Sequence, residues 1–520
     1  PESVPAVEAQ LAVPTLLEMM ARGRLVDREE ELGALKGSLE SMLSGRGHVV
    51  LAAGEPGIGK TRLAQELLVY ARLRGCLAVI GRCFEQEVTI PYLPIAEALR
   101  AMCREIADDQ LQTMIGAHAA ELVKLVPDLG LRMRDLRPSP PLEPDQERLR
   151  LFEHVTAFLS AAARIRSVVI LLDDLHWADA ATLQLLRYIA RNIRSDRILL
   201  VGTYRDVELD RTHPLGNALR EMNRERLYSR ILLRRLTPEH VGEMIRAIFQ
   251  SRQPVSEEFR GLIYKETEGN PFFVEEVLKH LVEVGALYIV EGRWERKEIR
   301  EIEVPQSVRE VIGRRLERLS SEGVEALTVA SVIGRKFDFE LLRAAMTGDG
   351  QPEVRGIDAG QLLDSLEEAL ESQLISEERT EEGVQYTFAH ALVRETLYDG
   401  LSLRRKMLFH EKVGEALERV FADALAAHAV DLAYHFSQVG RTQAEKAVRY
   451  SLQAAEAAAQ IYAYDEAIMH YRTAIDILPP DDRRRVEIRE KVSQTLLKQG
   501  KWAEAIEILE QTFRDYESRG

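Results

Sequence analysis

Gly54, Gly59, Lys60 and Thr61 fill the spacing G-x-x-x-x-G-K-[ST] within residues 51–62, and residue types at that spacing do chemistry on phosphate. The glycines let backbone N–H groups turn inward around an anion without Cβ interference. A helix starting at the end of the loop adds partial positive charge. The candidate cradle is Gly54, Glu55, Pro56, Gly57, Ile58, Gly59, Lys60, Thr61 and Arg62. Lys60 would reach the β- and γ-phosphates, and the Thr61 hydroxyl would sit on Mg²⁺. A second constellation is Asp173-Asp174, which closes the apolar run 168–172. A carboxylate at the end of a strand beside such a loop can hold Mg²⁺, partly through water. The next acid can activate an attacking water. Asp173 is therefore assigned to the metal and Asp174 to the water. Arg205 follows the run 198–203, where it either senses a γ-phosphate or pairs on the surface with Asp206 or Glu208. His176 reads as a polar strand-end residue or a ligand.

The elements that must position these groups are legible in the pattern. Apolar runs at 48–53, 77–81, 168–173, 198–203 and 229–233 alternate with helical segments at 63–71, 95–126, 146–163 and 181–192. That is a parallel α/β sheet covered on both faces. A helix running to Leu43 opens near Asp27, a plausible N-cap. Residues 137–144 carry four prolines and form a loop.

The 520 residues exceed what one core organises. With 69 basic and 84 acidic residues the net charge is −15, unlike a nucleic-acid or membrane-surface binder. No apolar run approaches a membrane span. Cys76, Cys83 and Cys103 are scattered, which suits a reducing, cytoplasmic setting and offers no metal spacing. The chain begins at Pro1 and stops after a helical run, so it reads as part of a longer protein.

The order Leu25-Val26-Asp27-Arg28-Glu29, residues 54–61, Leu171-Leu172-Asp173-Asp174-Leu175-His176-Trp177-Ala178-Asp179 and Gly202-Thr203-Tyr204-Arg205 resembles the STAND class. These are AAA-related P-loop signal-transduction ATPases with numerous domains, including maltose-regulator-type activators, the apoptosome scaffold and NLR receptors. The resemblance covers about residues 23–480. It implies that Val26 and Arg28 contact adenine, although Asp27 stands where glycine is usual. It matches Gly269-Asn270-Pro271 to the lid motif whose proline packs on adenine, a stretch that otherwise reads as a turn starting a helix. It also makes His390, in Phe388-Ala389-His390-Ala391, the winged-helix histidine that contacts the β-phosphate of ADP. Ala391 replaces an aspartate often found there, and without the family His390 would be a structural helix-start residue.

The expected organisation is multidomain α/β plus α. An N-terminal linker (1–22, with a short helix at 16–21) precedes a P-loop domain (23–235) and a helical lid (236–304). A winged-helix domain (305–402, wing strands 374–378 and 385–388) leads into helical, tetratricopeptide-like repeats (403–520). The repeats rest on Ala467, Tyr471, Ala474 and Pro479 at offsets 0, +4, +7 and +12, echoed by Ala505 and Leu509 and weakened at Thr512. A degenerate unit is expected at 447–459.

The resulting expectation is a switch, closed and monomeric with ADP, in which a signal at the repeats triggers exchange for ATP and homo-oligomerisation. Slow ATP hydrolysis with Mg²⁺ resets it, and the output domain lies outside this chain. The inducer or partner protein at the repeats is not specified, and no direct nucleic-acid or membrane contact is expected of this fragment. The alternative is a constitutive AAA-like ATPase doing remodelling work. A scaffold with a vestigial site is disfavoured by intact Lys60, Thr61, Asp173 and Asp174.

Overall fold

The computed structural model describes residues 25–84, 90–133, 136, 138–206, 209, 213–251, 254–290, 293–297, 308–347, 358–380 and 383–519. The linker 1–22 with its helix at 16–21, Glu85 to Glu87, Arg137, Glu208, Ser307 and the boundary expected at 304/305 lie outside them.

Strands β1 (His48–Ala53), β2 (Leu77–Arg82), β3 (Val168–Asp173), β4 (Ile198–Tyr204) and β5 (Ser229–Leu232) form one parallel sheet in the order β2-β3-β4-β1-β5. Side chains alternate faces along each strand. Val169, Leu171, Leu199 and Val201 pack under the helices Glu29–Leu43 and Lys60–Leu73. Ile170, Leu172 and Leu200 face the helices Leu93–Glu105, Pro144–Ile165 and Ala180–Asn192. Burial on both faces explains why these strands read as unbroken apolar runs. It also brings the ends of β1, β3 and β4 to one edge, where ligands of open parallel sheets bind.

Three sequence expectations are corrected. Asp27 does not cap the first helix: the N-cap position is Arg28, without a side-chain cap, and Asp27 sits at φ +55°. That left-handed conformation accounts for the glycine preferred there, and aspartate tolerates it better than most residues. The helical stretch 95–126 is broken at Ile106 and Gly116 into Leu93–Glu105, Asp108–Ile115 and Ala119–Leu125. The segment 447–459 is not a unit of its own. It belongs to the helix Ala444–Gln460, which pairs with Tyr464–Ile477.

After the sheet come the helices Pro238–Ile248, Glu257–Thr267 and Pro271–Glu283, with a hairpin of β6 (Leu287–Val290) and β7 (Arg293–Arg296) that the sequence reading missed. Their core takes in Val26 and Val311. The described residues between 308 and 399 build helices around an antiparallel sheet of β8 (Lys336–Asp338), β10 (Gly383–Phe388) and β9 (Ile375–Thr380), in that order. β8, three residues long, was not foreseen. From Leu403 the described residues are helical. Ala467, Tyr471 and Ala474 are buried between helices, and so are Ala505 and Thr512, whereas Leu509 is 38% exposed. Tyr462, Tyr464 and Ile468 share a core with the sheet, so the helical array is packed directly on the P-loop unit. No helix among the described residues is long and apolar enough to cross a membrane.

Candidate functional site

The P-loop joins β1 to the helix Lys60–Leu73 and opens into a cavity of about 420 Å³. Lys60 Nζ donates to the carbonyls of Gly54 and Glu55, both at 2.8 Å, which holds the ammonium over its own loop. Burial pushes this ammonium down to about 8, against the pull of Asp174. Thr61 Oγ1 donates to Asp173 Oδ1 at 3.0 Å, and Thr203 Oγ1 donates to the same oxygen at 2.5 Å. A hydroxyl and a buried carboxylate at this distance are a hard oxygen pair that suits Mg²⁺, which takes few protein ligands and completes its shell with phosphate and water. Among the described residues no cluster of three or more His, Cys, Asp or Glu offers an all-protein metal cage.

Asp174 sits at φ +59°, its N–H bonded to Thr203 Oγ1 at 2.9 Å. Burial, and then the neighbouring Asp173, raise its carboxyl above the usual carboxylate range, which favours a proton acceptor near neutral pH. Its Oδ2 meets Arg335 Nη1 at 3.3 Å. Arg205 reaches the cavity from the end of β4 and pairs with Glu395 at 3.2 Å. Asp206, the surface partner that the sequence left open, lies 3.4 Å from Arg230 instead.

The segment expected as the lid lies on the P-loop. Asn270 caps the helix Pro271–Glu283 and donates through Nδ2 to Pro56 O at 2.9 Å, while Phe272 N donates to Gly57 O at 3.2 Å. Gly57 has φ +76°, and a Cβ there would stand 2.9 Å from both Asn270 Oδ1 and Phe272 Cβ. Glycine is thus required for lid contact as well as for the turn. Pro271 and Val26, which the resemblance assigns to adenine, both line the cavity. Arg28 lines the cavity too, and its guanidinium donates to Arg234 O (2.7 Å), Asp27 O (2.6 Å) and Ile58 O (3.3 Å), which braces the loop. The Glu55 carboxylate is turned to Arg235 at 2.7 Å rather than into the cavity. Arg62 lines the cavity and pairs with Glu66 one turn on.

His390 joins the cavity wall from the N-cap of the helix Ala391–Asp399. Its Nδ1 accepts from Leu392 N at 3.2 Å, which leaves the proton on Nε2. Its ring stacks on Phe272 at 3.8 Å between centroids. Burial, reinforced by Arg335, Arg205 and Lys60, pushes the imidazole down to about 3, so it is neutral with one N–H to offer an anion. The sequence-predicted residues thus meet in one cavity, with Gly54, Glu55 and Asp173 behind its wall. Sequence reasoning missed Phe272, Glu275 and Arg335. Glu275, one turn after Pro271 on the same helix face, was findable by spacing, and burial lifts its carboxyl to about 7. Arg335 precedes the unforeseen β8 and carried no signal.

His176 is buried, its ring beside Trp177, and is pushed down to about 2 by burial, as a neutral packed side chain would be. Asp179, three residues on, caps the helix Ala180–Asn192 through Thr182 N at 2.7 Å. There Glu466 of the helical array accepts from Ala181 N at 3.1 Å. Burial, and then Asp179, raise the Glu466 carboxyl above its ordinary range. A raised folded-state value means that the seam's contribution is full below the ordinary glutamate range and is lost as pH rises through the raised one. Thermal midpoints should therefore fall as pH is taken from about 5 to about 8, and Glu466→Gln should flatten that slope.

Residues 24–201 match the AAA ATPase domain family. An uncharacterized protein of Rhizobium meliloti (strain 1021) is 23% identical over 478 residues, 88% of this chain and 43% of the relative, so the chain spans less than half that protein's length. Among solved structures, a STAND protein with a tetratricopeptide repeat sensor from Pyrococcus horikoshii is 16% identical with a TM-score of 0.43, covering 93% of this chain and 64% of the other. The Aeropyrum pernix ORC1 protein, solved in complex with DNA, is 17% identical with a TM-score of 0.34, covering 74% and 95%. The match and the parallel sheet together place an AAA ATPase domain within this chain. Its nucleotide-binding core lies at residues 24–201 and is followed by a mostly helical chain.

Proposed function

We propose that this chain is a STAND-class switch, held closed by ADP and reset by slow ATP hydrolysis. The observation that carries this reading is that residues 308–399, read as the winged helix, place His390 and Arg335 in the P-loop cavity. The same unit supplies Arg335 to Asp174 and Glu395 to Arg205. The two groups assigned to hydrolysis and γ-phosphate sensing are therefore engaged by the closing unit, as a resting state requires.

In this reading Lys60 and the loop N–H groups would bind the phosphates, Thr61 and Asp173 would hold Mg²⁺, and Pro271 and Val26 would contact the base. Bound Mg²⁺ would neutralise phosphate charge. His390 Nε2–H donates to the terminal phosphate of ADP and so couples nucleotide to closure. Asp174 takes the proton of the attacking water once Arg335 withdraws. The inducer acts on the helical array, and the open form oligomerises. A constitutive ATPase would leave Asp174 and Arg205 accessible, so the pairing favours the switch. Nucleotide released by denaturing the purified chain tests this: about one ADP per chain with negligible turnover is expected, and an empty site with brisk, signal-independent hydrolysis would overturn it.

A further inference from the structure

A cavity of about 610 Å³, larger than the nucleotide pocket, lies among the helices Pro144–Ile165, Ala180–Asn192 and Pro214–Arg224. Asp465, in the first turn of Tyr464–Ile477, completes its wall, so it straddles the seam between P-loop unit and helical array. Its size is that of a small-molecule site, about 300–1,000 Å³. The switch described above makes no use of it.

The floor is apolar and partly aromatic. Phe152 and Tyr188 stand 5.7 Å apart at 54°, flanked by Leu149 and Leu183, and Leu149 is 44% exposed. The rim is charged but largely self-neutralised. Arg187 is held by Glu221 and Glu225, and Arg191 by Glu225. Asp465 accepts from Gln184 and Lys501, both at 3.2 Å. Arg148 differs. Its acid partner is Asp145, 3.3 Å away and 60% exposed in the first turn of the same helix. Asp145 keeps its favourable place at the helix N-terminus without Arg148, so a ligand anion can take over this guanidinium at little cost. The three lining arginines are matched by Asp145, Glu221 and Asp465, which disfavours a polyanion such as a nucleotide.

We propose that this cavity is an effector site for a flat aromatic monoanion. The ring lies against Phe152 and Tyr188, and the carboxylate bonds Arg148. Resting on the switch reading, its effect follows from position. A ligand seated in a cavity whose wall is completed by Asp465 of the array, next to Glu466 on Ala181, binds the docked arrangement better and stabilises the closed form. It therefore slows ADP release.

The test uses 2-naphthoate as probe and neutral 2-naphthamide as control, titrated calorimetrically into the whole chain. Naphthoate is expected to bind at least tenfold tighter than naphthamide. Arg148→Gln should weaken naphthoate tenfold or more, and Ala218→Trp, which fills the cavity, should abolish binding; both variants should retain ADP as the wild type does. No naphthoate binding at millimolar concentration, or equal binding to the variants, would overturn the site. Unchanged ADP release with naphthoate bound would overturn its regulatory effect alone. An empty nucleotide site in the purified wild type would count against the switch instead, leaving the naphthoate result to stand by itself.

Discussion

Lys60→Ala is expected to weaken ADP and ATP at least a hundredfold, a loss of about 3 kcal/mol. Lys60 is the cation in the centre of the P-loop, 6% exposed and bonded to Gly54 and Glu55 carbonyls 2.8 Å away. Charge-assisted bonds to phosphate contribute about 1.5–3 kcal/mol each, and an ammonium spanning two phosphates makes more than one. The fold should survive, because removing a buried cation also removes its desolvation cost. Equilibrium binding of a fluorescent ADP analogue with a thermal melt in parallel separates the outcomes. An intact melt with lost binding is expected, and near-wild-type affinity would refute the role given to Lys60.

Asp174→Asn should lower ATP hydrolysis about a hundredfold or more while ATP affinity changes only a few-fold, the range for losing a positioned general base. The substitution also removes the ion pair to Arg335 at 3.3 Å, so it loosens the closed form at the same time. Arg335→Ala provides the separation: it frees the same contact, keeps the carboxylate, and should raise turnover rather than abolish it. The wild-type rate should fall as pH is lowered through the raised Asp174 value, since the base works only when ionised. Unimpaired single-turnover hydrolysis in Asp174→Asn would show that another group activates the water.

How much of this could be read from the sequence differs by element. β3 and its Asp173-Asp174 were legible because burial on both faces leaves an apolar run ending in acids, and the P-loop because its backbone chemistry demands glycine at fixed offsets. Side-chain direction was not legible. Glu55 lies in the right segment, but its carboxylate is held by Arg235 outside the cavity, and Arg28 lines the cavity while bracing Arg234 O. Arg335 was invisible because a three-residue strand has too few positions to show alternation, and its partner Asp174 is 161 residues away. Glu466 reads as a solvated helix-face acid until the array is docked on the sheet, which no local pattern announces.

In the proposed switch His390 links bound ADP to closure, and the most direct test is the dissociation rate of a fluorescent ADP analogue chased with ADP, in wild type and His390→Ala. The neutral ring keeps its proton on Nε2 and stacks on Phe272 at 3.8 Å, so in the proposed switch it would join nucleotide, lid and closing unit. Losing one such hydrogen bond and its stacking contact, about 1.5–2 kcal/mol together, predicts release accelerated roughly 10- to 30-fold, with more oligomer in ATP. Equal release rates from the two proteins would contradict the account.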